Sequence, residues 1–150
     1  MRALSRSVIA ACVLGLAGTP ALSQDALQES HIDANVPEPL DFDKSMRRDL
    51  LAYFQAAQPG TTSVDWVLLR QGATQSGVAY PKFYAWVRVS ARSLVPRQGA
   101  VRLAAIDGTH FEVTTYLSAE DVRANPERVG AVFPARLVQA VESKAAEATR

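Results

Sequence analysis

Little in this 150-residue chain invites redox or metal chemistry. It has one cysteine, Cys12, and two histidines, His31 and His110. A single cysteine cannot close an intrachain disulfide, and two distant histidines without clustered thiols or carboxylates do not make a metal set. Charge of one sign is also missing. The 16 Lys+Arg and 15 Asp+Glu leave a net charge of +1, which removes the basic stripe that nucleic-acid binding through bulk charge requires. Charged residues are only 21% and hydrophobic residues 48%, so the chain is no disordered polyelectrolyte and can fill one core. It has neither a Gly-rich phosphate loop nor a strand–GxGxxG–helix unit, so no cofactor is expected. No apolar run reaches the roughly 20 residues of a membrane span.

What is present first is an export pattern. Arg2 and Arg6 precede an apolar run from Ser7 to Ala17, broken by Gly18-Thr19-Pro20. Ala21 and Ser23 then place small residues at −3 and −1 of a cut before Gln24. This predicts a cleaved signal peptide over residues 1–23 and a periplasmic or secreted mature chain, with no stable membrane insertion after cleavage. Ile9-Ala10-Ala11-Cys12 resembles a lipoprotein box, but it lies too close to Arg6 for a full apolar segment, and the apolar run continues through Leu16. Cleavage removes the only cysteine and two of the basic residues, giving a net charge of −1. The mature chain must then hold together by core packing alone, which its size permits. Thirteen Arg against three Lys, with abundant Ala, read as a GC-rich bacterial genome and so as periplasm.

Residues 24–40 are polar and end in Val36-Pro37-Glu38-Pro39, which predicts a flexible linker that also contains His31, read as a solvated residue. A single domain follows over residues 41–150. Met46, Leu50, Tyr53, Phe54 and Ala57 form one apolar stripe of a helix capped at Asp41 or Asp43 and stopped by Pro59-Gly60. Ser63–Gln71 reads as a strand partly buried on both faces, and Gly72–Pro81 as a flexible loop. Lys82–Arg92 alternates Phe83, Ala85, Val87 and Val89 with Tyr84, Trp86, Arg88 and Ser90. A turn at Pro96–Gly99, a strand at Ala100–Ile106 and a strand at Thr109–Leu117 complete the set.

The register of the last hairpin follows from side-chain matching. A two-residue Asp107-Gly108 loop would mix apolar and charged residues on both faces. A three-residue loop pairs 106 with 110, setting Leu103 opposite Val113, Ala105 opposite Phe111 and Val101 opposite Thr115. That requires a bulged turn with Gly108 at positive φ. Ser118 caps a short helix with an acidic first turn, Asn125-Pro126 ends it, and Pro134 opens a last helix striped by Leu137, Val138, Val141 and Ala145, with a fraying tail from Ser143.

A helix, four consecutive strands and then helices predict an α+β fold: an N-terminal helix packed on a four-stranded antiparallel meander, with C-terminal helices. The helix should lie across Phe83, Val87, Val101, Leu103, Phe111 and Val113. Over residues 42–117 this element order resembles the cystatin-like and NTF2-like rolls. The resemblance implies a helix held in a curved sheet, and with it either a pocket between the two or an inhibitor-like role.

The opposite sheet face carries Tyr84, Trp86, Arg88, Arg102, His110, Glu112 and, at its far end, Tyr116. Interleaved aromatic and arginine side chains are the composition of binding surfaces, although the last helix could equally cover Tyr84 and Trp86 as a second core. Catalytic arrangements are poorly represented. His110 could pair with Glu112 or Asp107, and Asp65 could face Glu112, but neither spacing orients a triad or a carboxylate pair. The sequence therefore favours an exported, non-enzymatic module that recognises an envelope protein or itself through this face. The alternative is an NTF2-like small-molecule or catalytic pocket with His110, Asp65 or Tyr84 at its mouth.

Overall fold

The computed structural model describes residues 32–75, 79–92 and 95–148. The expected signal peptide, Cys12, the cut before Gln24 and His31 lie outside the described residues. Helix α1 spans Pro39–Ala57, and the strands are β1 (Thr61–Leu68), β2 (Lys82–Ala91), β3 (Arg97–Ile106) and β4 (His110–Ser118). The sheet is an antiparallel meander in the order β1-β2-β3-β4. Three helices follow: α2 (Ala119–Ala124), α3 (Glu127–Val132) and α4 (Ala135–Glu147). The fold is α+β, as the element order predicts.

Helix α1 begins earlier than expected. Pro39 occupies its first turn and Asp41 lies beside it; proline at that position loses no helical hydrogen bond, and the acid favours the positive end of the helix. Ser45, Met46, Leu50 and Phe54 face inward, while Ala57 is exposed. The buried cluster on this side joins Met46, Leu50 and Phe54 to Val64, Phe83, Val87, Val89, Val101, Leu103 and Phe111. This is the predicted clasp of helix and sheet. Asp49 ties it at one end: its Oδ2 accepts the Phe111 N–H at 2.7 Å, and Arg48 donates both to that carboxylate and to the Thr109 carbonyl.

The last residues of the expected linker belong to the domain. Residues 32–35 form a helical turn, and Asn35 and Pro37 are buried. The Asn35 carbonyl accepts from the Gly108 N–H at 3.0 Å and its side-chain oxygen accepts from the Asp107 N–H at 3.3 Å. Those two amides sit in the tight β3–β4 turn and have no strand partner, so the segment is held by the turn's need for acceptors. Asp107 and Gly108 are both left-handed, at φ 56° and 62°. A Cβ on Gly108 would also lie 3.3 Å from the Ala34 carbonyl oxygen. The all-trans backbone of the described residues includes Tyr80–Pro81.

The hairpin register is the expected one near the turn: Ile106 opposes His110, Ala105 opposes Phe111 and Leu103 opposes Val113. It then shifts. Arg102 opposes Thr115 and Val101 opposes Tyr116, not Thr115. Thr114 is the extra residue of a bulge; its hydroxyl donates to the Arg102 carbonyl at 3.0 Å and accepts from Arg102 Nε at 3.0 Å. One inserted residue flips the parity of everything beyond it. Tyr116 is therefore on the α1 face, with its ring edge-on to Phe54 at 5.0 Å, and not on the opposite face.

Strand β3 starts at Arg97, so Arg97 to Gly99 are paired rather than turning. Strand β1 is an edge, and its outer side is wet rather than covered: Ser63 and Asp65 are exposed and Val67 is 50% exposed. On the second sheet face, α2, α3 and α4 bring Val122, Val129, Leu137, Val141 and Ala145 onto Tyr84, Trp86, Ala100 and Leu117. Ser118 makes a complete capping box with Asp121, which holds that carboxyl below its usual range chiefly through the Ser118 hydroxyl. Pro134 is the N-cap of α4 rather than its first residue, and the helix runs on to Glu147 instead of fraying at Ser143.

Gly99 is where the bulged strand crosses closest. A Cβ there would collide with the Leu117 carbonyl, the Tyr116 ring and the Ser118 Cα. Gly99→Ala is expected to lower stability by about 1–3 kcal/mol. In urea unfolding this should read as a lower midpoint at unchanged slope.

Candidate functional site

The structure separates the six residues singled out from the sequence. Tyr84 and Trp86 are 5% and 6% exposed. The Tyr84 ring lies 5.8 Å from that of Phe133, and Trp86 Nε1 donates to Gln98 Oε1 at 3.1 Å. They are members of a second core and not an open recognition face. The reason is energetic: leaving such rings in water costs roughly 1.5–3 kcal/mol each, and α2–α4 supply an apolar stripe that removes the cost. Arg88 is exposed and opposes Asp65 and Gln98. Glu112, also exposed, opposes Ala104, and His110 Nδ1 lies 3.3 Å from the Thr109 hydroxyl.

The catalytic pairings weighed from the sequence are not assembled. Asp65 and Glu112 stand on β1 and β4, the opposite edges of the sheet. Three strand spacings separate them by roughly 14 Å across the sheet, and the six-residue offset between Arg88, opposite Asp65, and Lys82, in line with Glu112, adds roughly 20 Å along it, too far for a carboxylate pair across one bond. Among the described residues there is no group of three or more His, Cys, Asp or Glu that could hold a metal. Beneath the start of α1 the roll is filled, and only a cleft of about 140 Å³ opens at the helix's other end, between Phe54, Val89 and Tyr116. Phe42, Phe83 and Phe111 form a triangle of edge-on rings, with centroids 5.1–5.5 Å apart. An NTF2-like cavity beneath α1 would need the space these rings occupy.

Two clefts remain. The first lies where the buried linker end meets β1. It has a volume of about 450 Å³ and is walled by Pro37, Pro39, Phe42, Trp66, Leu68 and Phe83. Phe42 extends the α1 stripe one turn before Met46, a signal the sequence carried but the expected helix start hid. Trp66 Nε1 is buried without an acceptor. The bordering strand is open. Leu69 N–H donates to the Tyr84 carbonyl at 2.9 Å, and antiparallel pairs alternate between bonded and unbonded. The peptide groups of Leu68, Trp66 and Val64 therefore point away from β2. Arg47 donates to the Val64 carbonyl at 3.4 Å, which leaves the Trp66–Leu68 stretch uncapped among the described residues. Asp43 lines the cleft, and Asp33, Glu38 and Asp41 are exposed in the residues before it; Lys44 and the edge-bound Arg47 are the cations of this stretch.

The second cleft, about 350 Å³, is on the other sheet face and is lined by Thr74, Gln75, Ala79, Lys82, Tyr84 and Arg102. Here two of the sequence-identified residues, Tyr84 and Arg102, do meet; Lys82 and Thr74 were missed, because the chain bulges at residues 70–73 before Thr74 rejoins Lys82 in an isolated bridge.

Tyr116 shows how far the bulge changes a side chain's chemistry. Burial on the α1 face pushes its phenol from 10.0 up to about 12, since the phenolate would lose its hydration. The folded state thus favours the neutral phenol. Its contribution to stability is complete below the unfolded value of 10.0 and is lost as the pH rises through about 12. In a spectrophotometric titration the Tyr116 phenol should ionise well above its ordinary value of 10.0. Tyr116→Phe should flatten the alkaline fall in stability. Trp86→Ala is expected to cost about 3–5 kcal/mol as a core truncation, whereas Arg88→Ala should stay within about 0.5 kcal/mol, both measured by urea unfolding.

No protein-family model, no curated protein and no solved structure matches the chain.

Proposed function

We propose that the protein is a small exported, non-enzymatic binding module that holds an extended, basic and apolar segment of a partner protein in the cleft between Pro37 and Trp66. The observation that carries this reading is the union of an apolar cleft with an uncapped strand edge. An added strand satisfies the outward peptide groups of Trp66 and Leu68, and its alternate side chains enter the cleft. The Asp43 carboxylate lines the cleft, and residues 33–47 carry more exposed acids (Asp33, Glu38, Asp41, Asp43) than cations besides the edge-bound Arg47, which favours Lys or Arg on the partner. A peptide carbonyl would also supply the acceptor that Trp66 Nε1 lacks, after a small rotation of the ring. The aromatic and arginine residues of the sheet's second face take no part, because α2–α4 cover Tyr84 and Trp86.

Export rests on residues 1–23 and makes an envelope protein the partner. Kinship with the cystatin-like or NTF2-like rolls would rest on element order alone, and the rings packed beneath the start of α1 give no support to a pocket of the NTF2 kind there.

Selection from a random peptide library against the full chain should enrich sequences with Lys or Arg between aliphatic residues. Their binding should shift the Trp66 fluorescence, weaken with salt and weaken about three- to tenfold in Asp43→Lys. Enriched peptides without a basic bias, or binding indifferent to Asp43→Lys, would overturn the proposal. So would a dimer in sedimentation equilibrium that buries Trp66, since that assigns the cleft to a second copy. Fusion of the full chain to a phosphatase active only outside the cytoplasm tests export; an inactive fusion removes the envelope partner.

A further inference from the structure

We infer that the second cleft is a binding site for an oxyanion group, a phosphoryl or carboxylate carried by a small molecule. It is independent of the peptide cleft and lies on the opposite face of the sheet. Lys82 and Tyr84 are two apart on β2 and share that face, and Arg102 stands directly opposite Tyr84 on β3. No carboxylate lines the cleft. Glu112 is across Ala104 from Lys82, two strand spacings or roughly 10 Å away, and Arg88 projects from beyond Trp86.

Both cations are held in place by neutral acceptors, so their charge is uncompensated among the described residues. Arg102 Nε donates to the Thr114 hydroxyl at 3.0 Å, Nη2 to the Thr115 hydroxyl at 3.2 Å and Nη1 to the Val132 carbonyl at 3.4 Å. A guanidinium has five N–H donors, so two stay unused, one on each terminal nitrogen. That is the fork which meets two oxygens of one anion. Lys82 Nζ donates to the Tyr80 carbonyl at 2.9 Å and keeps two further donors. The Tyr84 and Thr74 hydroxyls are bonded to each other at 2.9 Å; only one of their protons is spent there, and the other is free to donate. A half-buried arginine already immobilised by three bonds, beside a lysine and a spare hydroxyl proton, is preorganised for an anion at little further entropic cost.

The test is titration of the full chain with inorganic phosphate and, separately, with malonate, followed by backbone amide shifts. Saturable shifts centred on residues 82, 84 and 102 are expected with at least one of them. Saturation by phosphate alone assigns a phosphoryl group, by malonate alone a carboxylate, and by both an unselective oxyanion site; each supports the inference. Lys82→Gln should weaken binding about tenfold, as the loss of a charge-assisted hydrogen bond requires. Tyr84→Phe keeps the ring against Phe133 and should weaken binding a few fold. Arg88→Gln, an arginine on the same face outside the cleft, should leave it unchanged. The inference fails if neither anion saturates, if Lys82→Gln and Tyr84→Phe both bind as the parent does, or if Arg88→Gln loses as much as Lys82→Gln.

Discussion

Strands β2 and β3 carry buried side chains on both faces of the sheet: Phe83, Val87, Val101 and Leu103 toward α1, Tyr84, Trp86 and Ala100 toward α2–α4. A sheet with one apolar face needs a single covering layer. A central pair that is apolar at both parities needs two, and the chain supplies one from each end. The helix before the meander covers the first face and the helices after it cover the second. Without a disulfide in the domain, these two cores carry the stability, and every other feature is arranged around them.

Double coverage decides where recognition can occur. It consumes the aromatic rings that would otherwise make a flat binding surface, and it confines open chemistry to the borders of the sandwich. One border is the β1 edge, where the linker end folds back because the Asp107 and Gly108 amides need the acceptors of Asn35. The other is the gap beside the 70–73 bulge, where α2–α4 do not reach over Lys82 and Arg102 is turned toward Val132. Both clefts arise at irregularities, a tight left-handed turn and a strand interruption, rather than on the regular pleat.

The legible parts of the sequence are those set by local periodicity. The stripe from Met46 to Phe54, the alternation from Phe83 to Val89, the Ser118 cap and the Gly108 turn each read correctly, because each depends on neighbours a few residues away. The hairpin register was legible for the same reason as far as Leu103. Beyond it, the Thr114 bulge reverses parity, and nothing in a threonine-threonine pair announces which residue is extra. Tyr116 was thereby assigned to the wrong face. Of the residues lining the two clefts, the sequence had singled out Tyr84 and Arg102 by their shared face but not Lys82, Thr74, Phe42 or Trp66, since the strand interruption at 70–73 and the returning linker create the clefts.

The order of residues by itself determined the element types, the meander and the helix-facing core, for these follow from backbone geometry and the spacing of apolar side chains. Whether the second face of the sheet is wet or covered was settled only by the tertiary structure. Alternation says that Tyr84 and Trp86 share a side with Arg88 and Arg102, but not whether a distant helix will land on them. That depends on the free energy gained when Leu137, Val141 and Ala145 find an apolar surface of matching shape, and such matching exists only between segments already folded.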